Sequence, residues 1–557
     1  MGKQLLSIPS FTAGEMSSSM QGRTDFAKYF SAASRIENFV VLPHGPITRR
    51  PGTYFVSEVK TSSAKTRLVS FSFSTTQTYI LEFGNQYLRF YKDDGQIVSG
   101  GSAYEIATPY TTAQIFDLKF AQSADVMYIC HEDHSVRKLS RTGHTSWTLN
   151  EVEFTNGPYL DSNSTSVTMT PASTSGAAIN ITASAPTFVS GDVNRLIKFS
   201  NGYAKITNFS SDTVVQADIK EDFDNTNAVT NWSLGAFSTV TGHPRCVSFF
   251  EQRLVFSGTA LQPQTMFFSK SGDYENMTSG SNDDNAMIYT IASNQVNAIQ
   301  AMKATRTLIV MTTGGEYAVS SGAAQDAITP TNINIRKQSN YGSSGVDALS
   351  IGNATIFLQR AKRKIRELAY NFDTDGYTAP DLTILADHVS ESGFIDMSYQ
   401  QEPYSVVWCV RNDGQLAGLT YNRLENVVAW HRHIFGGKSD TGKVIKQQKI
   451  SFTANSTTVN TTSNQITLTG HGLTTGDPVY YYAASNVIGG LSNSKVYYVI
   501  SVDANNIKLA VSSSNASAGT AISLTSAPGS DTSQFIYQGV NINNNILFVS
   551  SLSLIHI

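Results

Sequence analysis

The chain has 557 residues, of which 15% are charged, and a formal net charge of −3. This length exceeds one ordinary core and predicts about two to four domains, while the near-neutral charge excludes a global positive field for nucleic acid or anionic membranes. The 29 Phe and 25 Tyr residues favour β-structure. The three cysteines, Cys130, Cys246 and Cys409, are too few and too far apart for a disulfide framework or a zinc cluster, so a reducing site of synthesis is expected.

The first 60 residues read as an irregular N-terminal arm. Several prolines interrupt it, and only residues 24–39 show helical spacing. Phe26, Ala33 and Ile36 follow the spacing of one face of a helix. The pattern therefore predicts one helix in this arm.

From residue 66 onward the sequence repeats a plan of strand, turn and strand. Six units can be recognised, each with three or four short strands, and they start near residues 67, 115, 247, 296, 346 and 395. Apart from one long interruption they recur every ~40–50 residues, which is typical of propeller blades. The sequence thus predicts an all-β fold with a β-propeller-like body, and a generic antiparallel sandwich is the alternative.

The third unit, residues 243–277, shows the plan most clearly. One apolar run extends from Val247 to Phe256 and a second from Thr265 to Ser269. Pro263 interrupts the ladder between them because proline has no amide hydrogen to donate. The two runs are predicted to be adjacent antiparallel strands of one blade.

Two segments look like insertions of small β-modules. Residues 161–237 contain Asn201-Gly202 between two apolar runs, which is a strong hairpin signal. Residues 451–538 are rich in Ser, Thr and Asn and nearly free of charge. The predicted body therefore comprises residues 61–160 and 238–450, and residues 539–551 would begin a truncated C-terminal part.

Candidate catalytic and metal-binding groups are few. His431 and His433 lie on one face of a predicted strand, but no third ligand is nearby in sequence. Asp273 and Glu275 could be posed as a glycosidase pair, although their neighbours favour a structural turn. The segment 373–376 resembles a calcium loop that lacks its final glutamate. We therefore predict no catalytic, cofactor-binding or metal-binding residue and expect the protein not to be an enzyme.

One strongly basic run comprises Arg360, Lys362, Arg363, Lys364 and Arg366. It could be a solvated edge strand protected by its charge. Alternatively, it could face DNA or a neighbouring subunit. Side chains alternate along a strand, so only part of the set can share one face.

Several stretches carry a resemblance to the tail nozzle proteins, also called tail tubular protein B, of short-tailed bacteriophages. They lie between residues 9 and 435, outside the first insertion: PSFTAGEMSSSMQGRTDFAKY, ENFVVLPHGPITRRPGT, FFEQRLVF, FSKSGDYENM, IYTIASNQVNAI and GGEYAVS. The resemblance implies a structural virion protein, a homohexamer around a channel for DNA ejection into the host. The implied partners are an adaptor ring, tail fibres, passing double-stranded DNA and the host envelope. The protein would be assembled in the host bacterial cytoplasm and located in the virion tail. A receptor-binding adhesin and a glycan-degrading tail protein are the alternatives.

The last six residues, 552–557, read LSLIHI. This peptide is the translation of a transposon end that is ligated to fragments in sequencing libraries. We therefore expect these residues to be an artefact and the natural chain to continue beyond Ser551.

Overall fold

A computed structural model describes residues 10–52, 56–57, 59–61, 64–74, 77–293, 297–322, 326–373, 375–434, 443–483, 486–493, 495–528 and 531–543. The regular secondary structure of this part is almost entirely β-strand. Its one α-helix is Ser513–Ser517, and its 3-10 helices are Ser18–Met20, Ala27–Ser31, Ser190–Asp192 and Asp387–Ser390. None of these helices is long and apolar enough to span a bilayer. The all-β prediction is confirmed.

Six sheets form the β-propeller-like body, and each contains four antiparallel strands that neighbour one another in chain order. A fifth short strand joins the first sheet, and two short strands of the N-terminal arm extend the sixth. The first blade contains Arg67–Ser72, Thr78–Gly84, Tyr87–Lys92 and Glu105–Ala107, and the second Lys119–Ser123, Val126–His131, His134–Gly143 and Ser146–Glu151. The third contains Cys246–Phe250, Arg253–Ser257, Thr265–Phe268 and Met287–Thr290, and the fourth Ile299–Ala304, Leu308–Thr312, Gly315–Ser320 and Asn334–Ser339. The fifth contains Leu349–Ile351, Ala354–Leu358, Ile365–Asn371 and Gly376–Thr378, and the sixth Phe394–Gln400, Val406–Arg411, Leu416–Asn422 and Val427–His433. The short strand Gly95–Gln96 pairs with Tyr87–Lys92 of the first blade, and Val98–Ser99 pairs with Ser102–Ala103 in a separate two-stranded sheet.

Apolar side chains hold successive blades together. Separate buried clusters join the first blade to the second, the second to the third, the third to the fourth, the fourth to the fifth and the fifth to the sixth. Each cluster takes alternate residues from two facing sheets, as the period of two along a strand requires.

The third blade confirms the predicted antiparallel pairing and corrects one detail. Val255 of one strand pairs with Phe268 of the next in an antiparallel ladder. The run from Val247 to Phe256, however, is two strands, since Val247 pairs with Phe256 in a hairpin. Glu251 and Gln252 form its turn with φ of 45° and 59°, a conformation that matches the twist of a tight hairpin.

The helix predicted over residues 24–39 is wrong. The structure has the short 3-10 helix Ala27–Ser31, followed by the strands Ala32–Ala33 and Phe39–Val41. Phe30 is 53% exposed, so a helix here would lack a surface on which to bury its apolar face. The backbone of Ala32–Ala33 instead pairs with Gly14–Glu15.

The N-terminal arm is bound to the sixth blade, the last one in the chain. Gly14–Glu15 extends that sheet by pairing in parallel with Val427–His433. At Gly14, with φ of 69°, a Cβ atom would lie 2.3 Å from the Trp430 amide nitrogen, so a side chain does not fit. The hairpin of Phe39–Val41 and Ile47–Arg49 follows. Ile36 and Val41 of the arm pack against Val427 and Ala429.

Two further sheets lie outside the blades in sequence. The first, between the second and third blades, contains Met169–Pro171, Ile179–Ala183, Leu196–Phe199, Gly202–Ser211, Val214–Glu221 and Trp232–Leu234. The hairpin predicted around Asn201-Gly202 is present there. The second sheet contains Lys443–Ala454, Val459–Asn460, Gln465–Thr467, Pro478–Ala483, Lys495–Ser501, Asn506–Ala510 and Asp531–Asn543. Residues 552–557, expected to be an artefact, lie outside the described residues.

Candidate functional site

The contact between the sixth and first blades differs from the other five. The apolar clusters formed by the described residues do not join these two blades directly. A cavity of about 750 Å³ lies there instead. Leu68, Ser70 and Ile80 of the first blade line one side, and Val406 and Trp408 of the sixth line the other. We call this cavity the closure cleft.

The face of the first blade that points away from the second blade carries a buried polar group. Leu81 and Phe90 pair across strands and pack toward the second blade. Alternation therefore turns Glu82, Tyr87 and Tyr91 to the opposite face. Glu82 is fully buried and accepts hydrogen bonds from the hydroxyls of Tyr87, at 2.5 Å, and Tyr91. Burial and the bond to Glu82 raise the pKa of Tyr87 well above its ordinary value, so both tyrosines stay donors.

The opposing face of the sixth blade carries a chain of hydrogen bonds behind Trp408. The Thr420 hydroxyl donates to the Val41 carbonyl at 2.7 Å and lies 3.2 Å from His431 Nε2. His431 Nδ1 lies 2.6 Å from His433 Nε2. Because Thr420 has already used its proton, His431 Nε2 must donate to it, and His433 Nε2 must then donate to His431 Nδ1.

The imidazoles of His431 and His433 are both neutral. Burial lowers the pKa of His431 to about 3 and, together with the neighbouring His431, that of His433 to about 2. A second proton on either ring would break the order of donors and acceptors. The pair thus connects the arm, through Val41, to the wall of the closure cleft.

Four charged side chains from four different blades meet at the floor of the cleft. Lys119 Nζ donates to Asp347 Oδ1 at 2.6 Å, and Arg67 Nη2 donates to Asp347 Oδ2 at 3.2 Å. Arg67 also donates to the Leu118 carbonyl at 2.8 Å, and its Nε lies 3.9 Å from Asp396 Oδ2. We call these four residues, Arg67, Lys119, Asp347 and Asp396, the floor cluster.

The pKa values of the two acids of the floor cluster are shifted in opposite directions. Burial opposes the charge on Asp347, but Lys119 and Arg67 outweigh it and hold its pKa below the ordinary value. Burial raises the pKa of Asp396; the charge of Arg67 opposes this shift, and the charge of Asp347 adds to it. The cluster thus contains the cations Arg67 and Lys119 and the anion Asp347. It links the first, second, fifth and sixth blades.

The mouth of the cleft is basic. Arg49 and Arg50 of the arm line it together with Lys65, which precedes the first blade. Arg411 lines the side of the sixth blade, where it donates to Asp413 at 2.5 Å and to Ser392 at 3.1 Å. Among the described lining residues, the acidic ones are Asp347 and Asp396 of the floor.

The basic run predicted as a DNA- or interface-facing surface lies elsewhere, and one member needs correction. Arg360, Lys362, Arg363 and Lys364 are exposed around a turn of the fifth blade, and Lys364 pairs with Asp381 at 3.1 Å. Arg366 is buried, because it donates to the Ala379 carbonyl at 2.6 Å and to Gln359 at 2.9 Å. Its guanidinium also stacks on the Tyr341 ring at 3.5 Å. Arg366 therefore belongs to the blade and cannot be counted with the exposed set.

The acidic residues considered above as catalytic or calcium-binding candidates have hydrogen-bond partners within the protein. Glu275 accepts from Lys138 at 2.8 Å and from Tyr128 at 3.0 Å, while Asp273 accepts from Asn276 at 3.0 Å. Asp375 accepts from the Tyr370 hydroxyl at 2.7 Å. No group of three or more His, Cys, Asp or Glu side chains that could hold a metal ion occurs within the described ranges.

Sequence reasoning missed the floor cluster. Its signal is positional: Arg67 and Lys119 each begin the first strand of a blade, and Asp347 and Asp396 lie close to such a start. Superposing the repeats on their first strands would have placed these charges at one end of neighbouring inner strands. The opposite signs would then have suggested contact.

Comparisons with known proteins give a likeness of fold only. Neither family models nor curated proteins match the chain. Among solved structures, apo AztD from Citrobacter koseri is 8% identical over 84% of this chain and 99% of its own, with a TM-score of 0.29. The Neurospora crassa Pan2 WD40 domain is 6% identical over 58% of this chain and 79% of its own, with a TM-score of 0.26. A putative 6-phosphogluconolactonase from Bacteroides uniformis is 11% identical over 64% of this chain and 91% of its own, with a TM-score of 0.28.

Proposed function

We propose that this protein is a structural component of a bacteriophage tail, the nozzle of a short-tailed phage through which DNA is ejected. One observation carries the proposal. The stretches that resemble nozzle proteins lie between residues 9 and 435, outside the first insertion, and the arm with its six blades occupies Gly14–Glu15 to Val427–His433. The resemblance thus covers one complete structural body.

The two ends of this body are joined by polar contacts. The carboxylate of Glu15, which is fully buried, accepts from Arg432 Nη2 at 2.6 Å, from His388 Nε2 at 2.7 Å and from the Ile36 amide at 2.9 Å. Glu15 thus fixes the first sequence motif of the arm to the sixth blade, and the Asn38 amide of the second motif donates to the Arg432 carbonyl at 2.8 Å. A tail component needs such a stiff body more than it needs a reactive group.

The proposed partners follow from the same resemblance. In this proposal six copies surround a channel, an adaptor ring binds above them, and tail fibres and the host envelope are contacted at the outside. The exposed cations Arg360, Lys362, Arg363 and Lys364 are candidates for a contact with DNA or with an acidic neighbour. The protein would be located in the virion tail after assembly in the host cytoplasm.

Electron microscopy of the purified protein, alone and with the adaptor ring of the same phage, tests the proposal. We expect sixfold rings that cap the adaptor, with light scattering giving the mass of six copies. Threefold rods would favour a receptor-binding adhesin. Release of reducing ends from host polysaccharide by a protein that stays monomeric would favour a glycan-degrading protein and would overturn the nozzle assignment.

A further inference from the structure

We propose that the closure cleft binds a small amphiphilic anion, an aliphatic or aromatic chain that ends in a carboxylate, sulfonate or phosphate. The inference is independent of the proposed tail function, since it rests on the geometry of a single chain.

The size of the cleft and its position in the fold make it a binding site. Its volume of about 750 Å³ lies in the range of cavities that hold small ligands, roughly 300–1,000 Å³. The other contacts between consecutive blades are filled with buried apolar side chains. At the closure cleft, the apolar part of a ligand would take the place that buried apolar side chains take at those contacts.

The walls of the cleft select an apolar chain. Leu68, Ile80 and Met127 face it from the first two blades, and Val406 and Trp408 face it from the sixth. Trp408 is held by a hydrogen bond from its Nε1 to Gln400 Oε1 at 2.7 Å and by the ring of His433 at 5.0 Å between centroids. Burial of a chain between these walls is worth about 0.8 kcal/mol for each methylene group, so affinity should rise with chain length.

The distribution of charge fixes the orientation and the sign of the ligand. At the floor, Arg67 and Lys119 are already paired with Asp347, so no strong field awaits a charged group there. At the mouth, Arg49 and Lys65 line the cleft, and the acidic residues among the described lining residues, Asp347 and Asp396, belong to the floor. The anionic end of the ligand would therefore remain at the mouth, where water also reaches it.

Competition with a fluorescent probe tests this proposal on the full chain. The probe is 1-anilinonaphthalene-8-sulfonate, and the competitors are dodecanoate, octanoate, dodecyltrimethylammonium and dodecyl maltoside, each below its micellar concentration. We expect dodecanoate to displace the probe at least tenfold better than octanoate, because four methylene groups are lost. Equal displacement by the cationic or the neutral chain would overturn the assignment of an anion.

Variants locate the binding. Ser70→Trp and Ser398→Trp place an indole in the cleft from opposite walls, and each should weaken dodecanoate binding more than tenfold. Ser350→Trp, at an exposed position of the fifth blade outside the cleft, is the matched control and should change nothing. Undiminished binding in both cleft variants, with unchanged urea midpoints, would overturn the site. The double variant Arg49→Glu, Lys65→Glu should weaken dodecanoate and spare dodecyl maltoside.

Two sources of the ligand chemistry can be separated in the same way. Binding to free dodecanoate without binding to phosphatidylglycerol vesicles identifies a free amphiphile. Sedimentation with such vesicles that is lost in Ser70→Trp identifies a lipid. Binding of neither dodecanoate nor the vesicles would refute the proposal.

Discussion

Two pairs of neighbouring blades are held together by different interactions: the second with the third, and the sixth with the first. In the former, Phe256 and Phe267 are fully buried and stack edge-on with Phe237 and Phe154. In the latter, the facing sheets leave the closure cleft, and the floor cluster and the arm provide the connection.

This difference teaches that ring closure need not repeat the interaction that holds consecutive blades. Between the second and third blades the buried apolar cluster is the main contact, and the ion pair of Lys138 with Glu275 adds to it. The last and first blades are distant in sequence, and their contact must be specified against other pairings. Hydrogen bonds and ion pairs are directional and fit that task.

Removing apolar volume from a contact between consecutive blades should have the largest effect. Phe267→Ala should lower the free energy of unfolding by about 3–5 kcal/mol, because it leaves a cavity among aromatic rings. Urea denaturation followed by tryptophan fluorescence measures this loss. The control Phe372→Ala, at a side chain that is 86% exposed, should shift the midpoint very little.

Breaking the polar contacts that attach the arm should lower the free energy of unfolding by less than Phe267→Ala does, and the effect should be confined to the arm. Glu15→Gln removes the charge that Arg432 and His388 share, at an expected cost of about 2–3 kcal/mol. Limited proteolysis should then cleave the arm before the blades. Asp25→Asn, which removes an exposed ion pair with Arg23 in the same arm, is the control. An arm that stays as resistant as in the native protein would show that apolar packing alone attaches it.

Acid should lower the free energy of unfolding through the pair His431 and His433 beside the closure cleft. The pKa values of His431 and His433 are lowered in the folded state, to about 3 and about 2, so the unfolded chain binds protons first. Their contribution is complete above the ordinary value of 6.5 and is lost as the pH falls toward 3. Urea midpoints between pH 7 and 5 should decline more gently in a His431→Gln, His433→Gln variant. The exposed His44, changed to Gln, should leave the native slope intact.

Charge reversal on the exposed part of the basic run should have the smallest effect on stability. Arg360→Glu with Arg363→Glu should change the free energy of unfolding by less than about 0.5 kcal/mol while impairing assembly or infection, if these side chains meet DNA or a neighbour. Normal assembly and titre would reduce them to a solvated turn. Arg366→Glu provides the contrast, because its buried guanidinium is bonded within the fifth blade and its loss should unfold that blade.

The sequence was informative wherever the signal is local. The six units could be recognised because strand period and turn residues recur within each blade, as between Arg253–Ser257 and Thr265–Phe268. The turn at Glu251 and Gln252 was missed because neither residue is typical of a left-handed turn. The closure cleft could not be predicted, since Leu68 and Trp408 face each other only after the ring has closed. Arg366 looked like its basic neighbours until its cross-strand environment was known.

One feature of the first extra sheet bears on how such a protein can be rebuilt. The chain enters and leaves this module side by side: Leu160 donates to the Leu234 carbonyl at 2.9 Å, and Ala236 donates to the Pro158 carbonyl at 2.8 Å. In the second sheet the first and last described residues, Lys443 and Asn543, are paired. The first module joins the body at two neighbouring chain segments, as the tip of a hairpin does, so its exchange should cost the body little loop entropy. Another module with the same spacing between its two ends should therefore be able to replace it while the second and third blades keep their register.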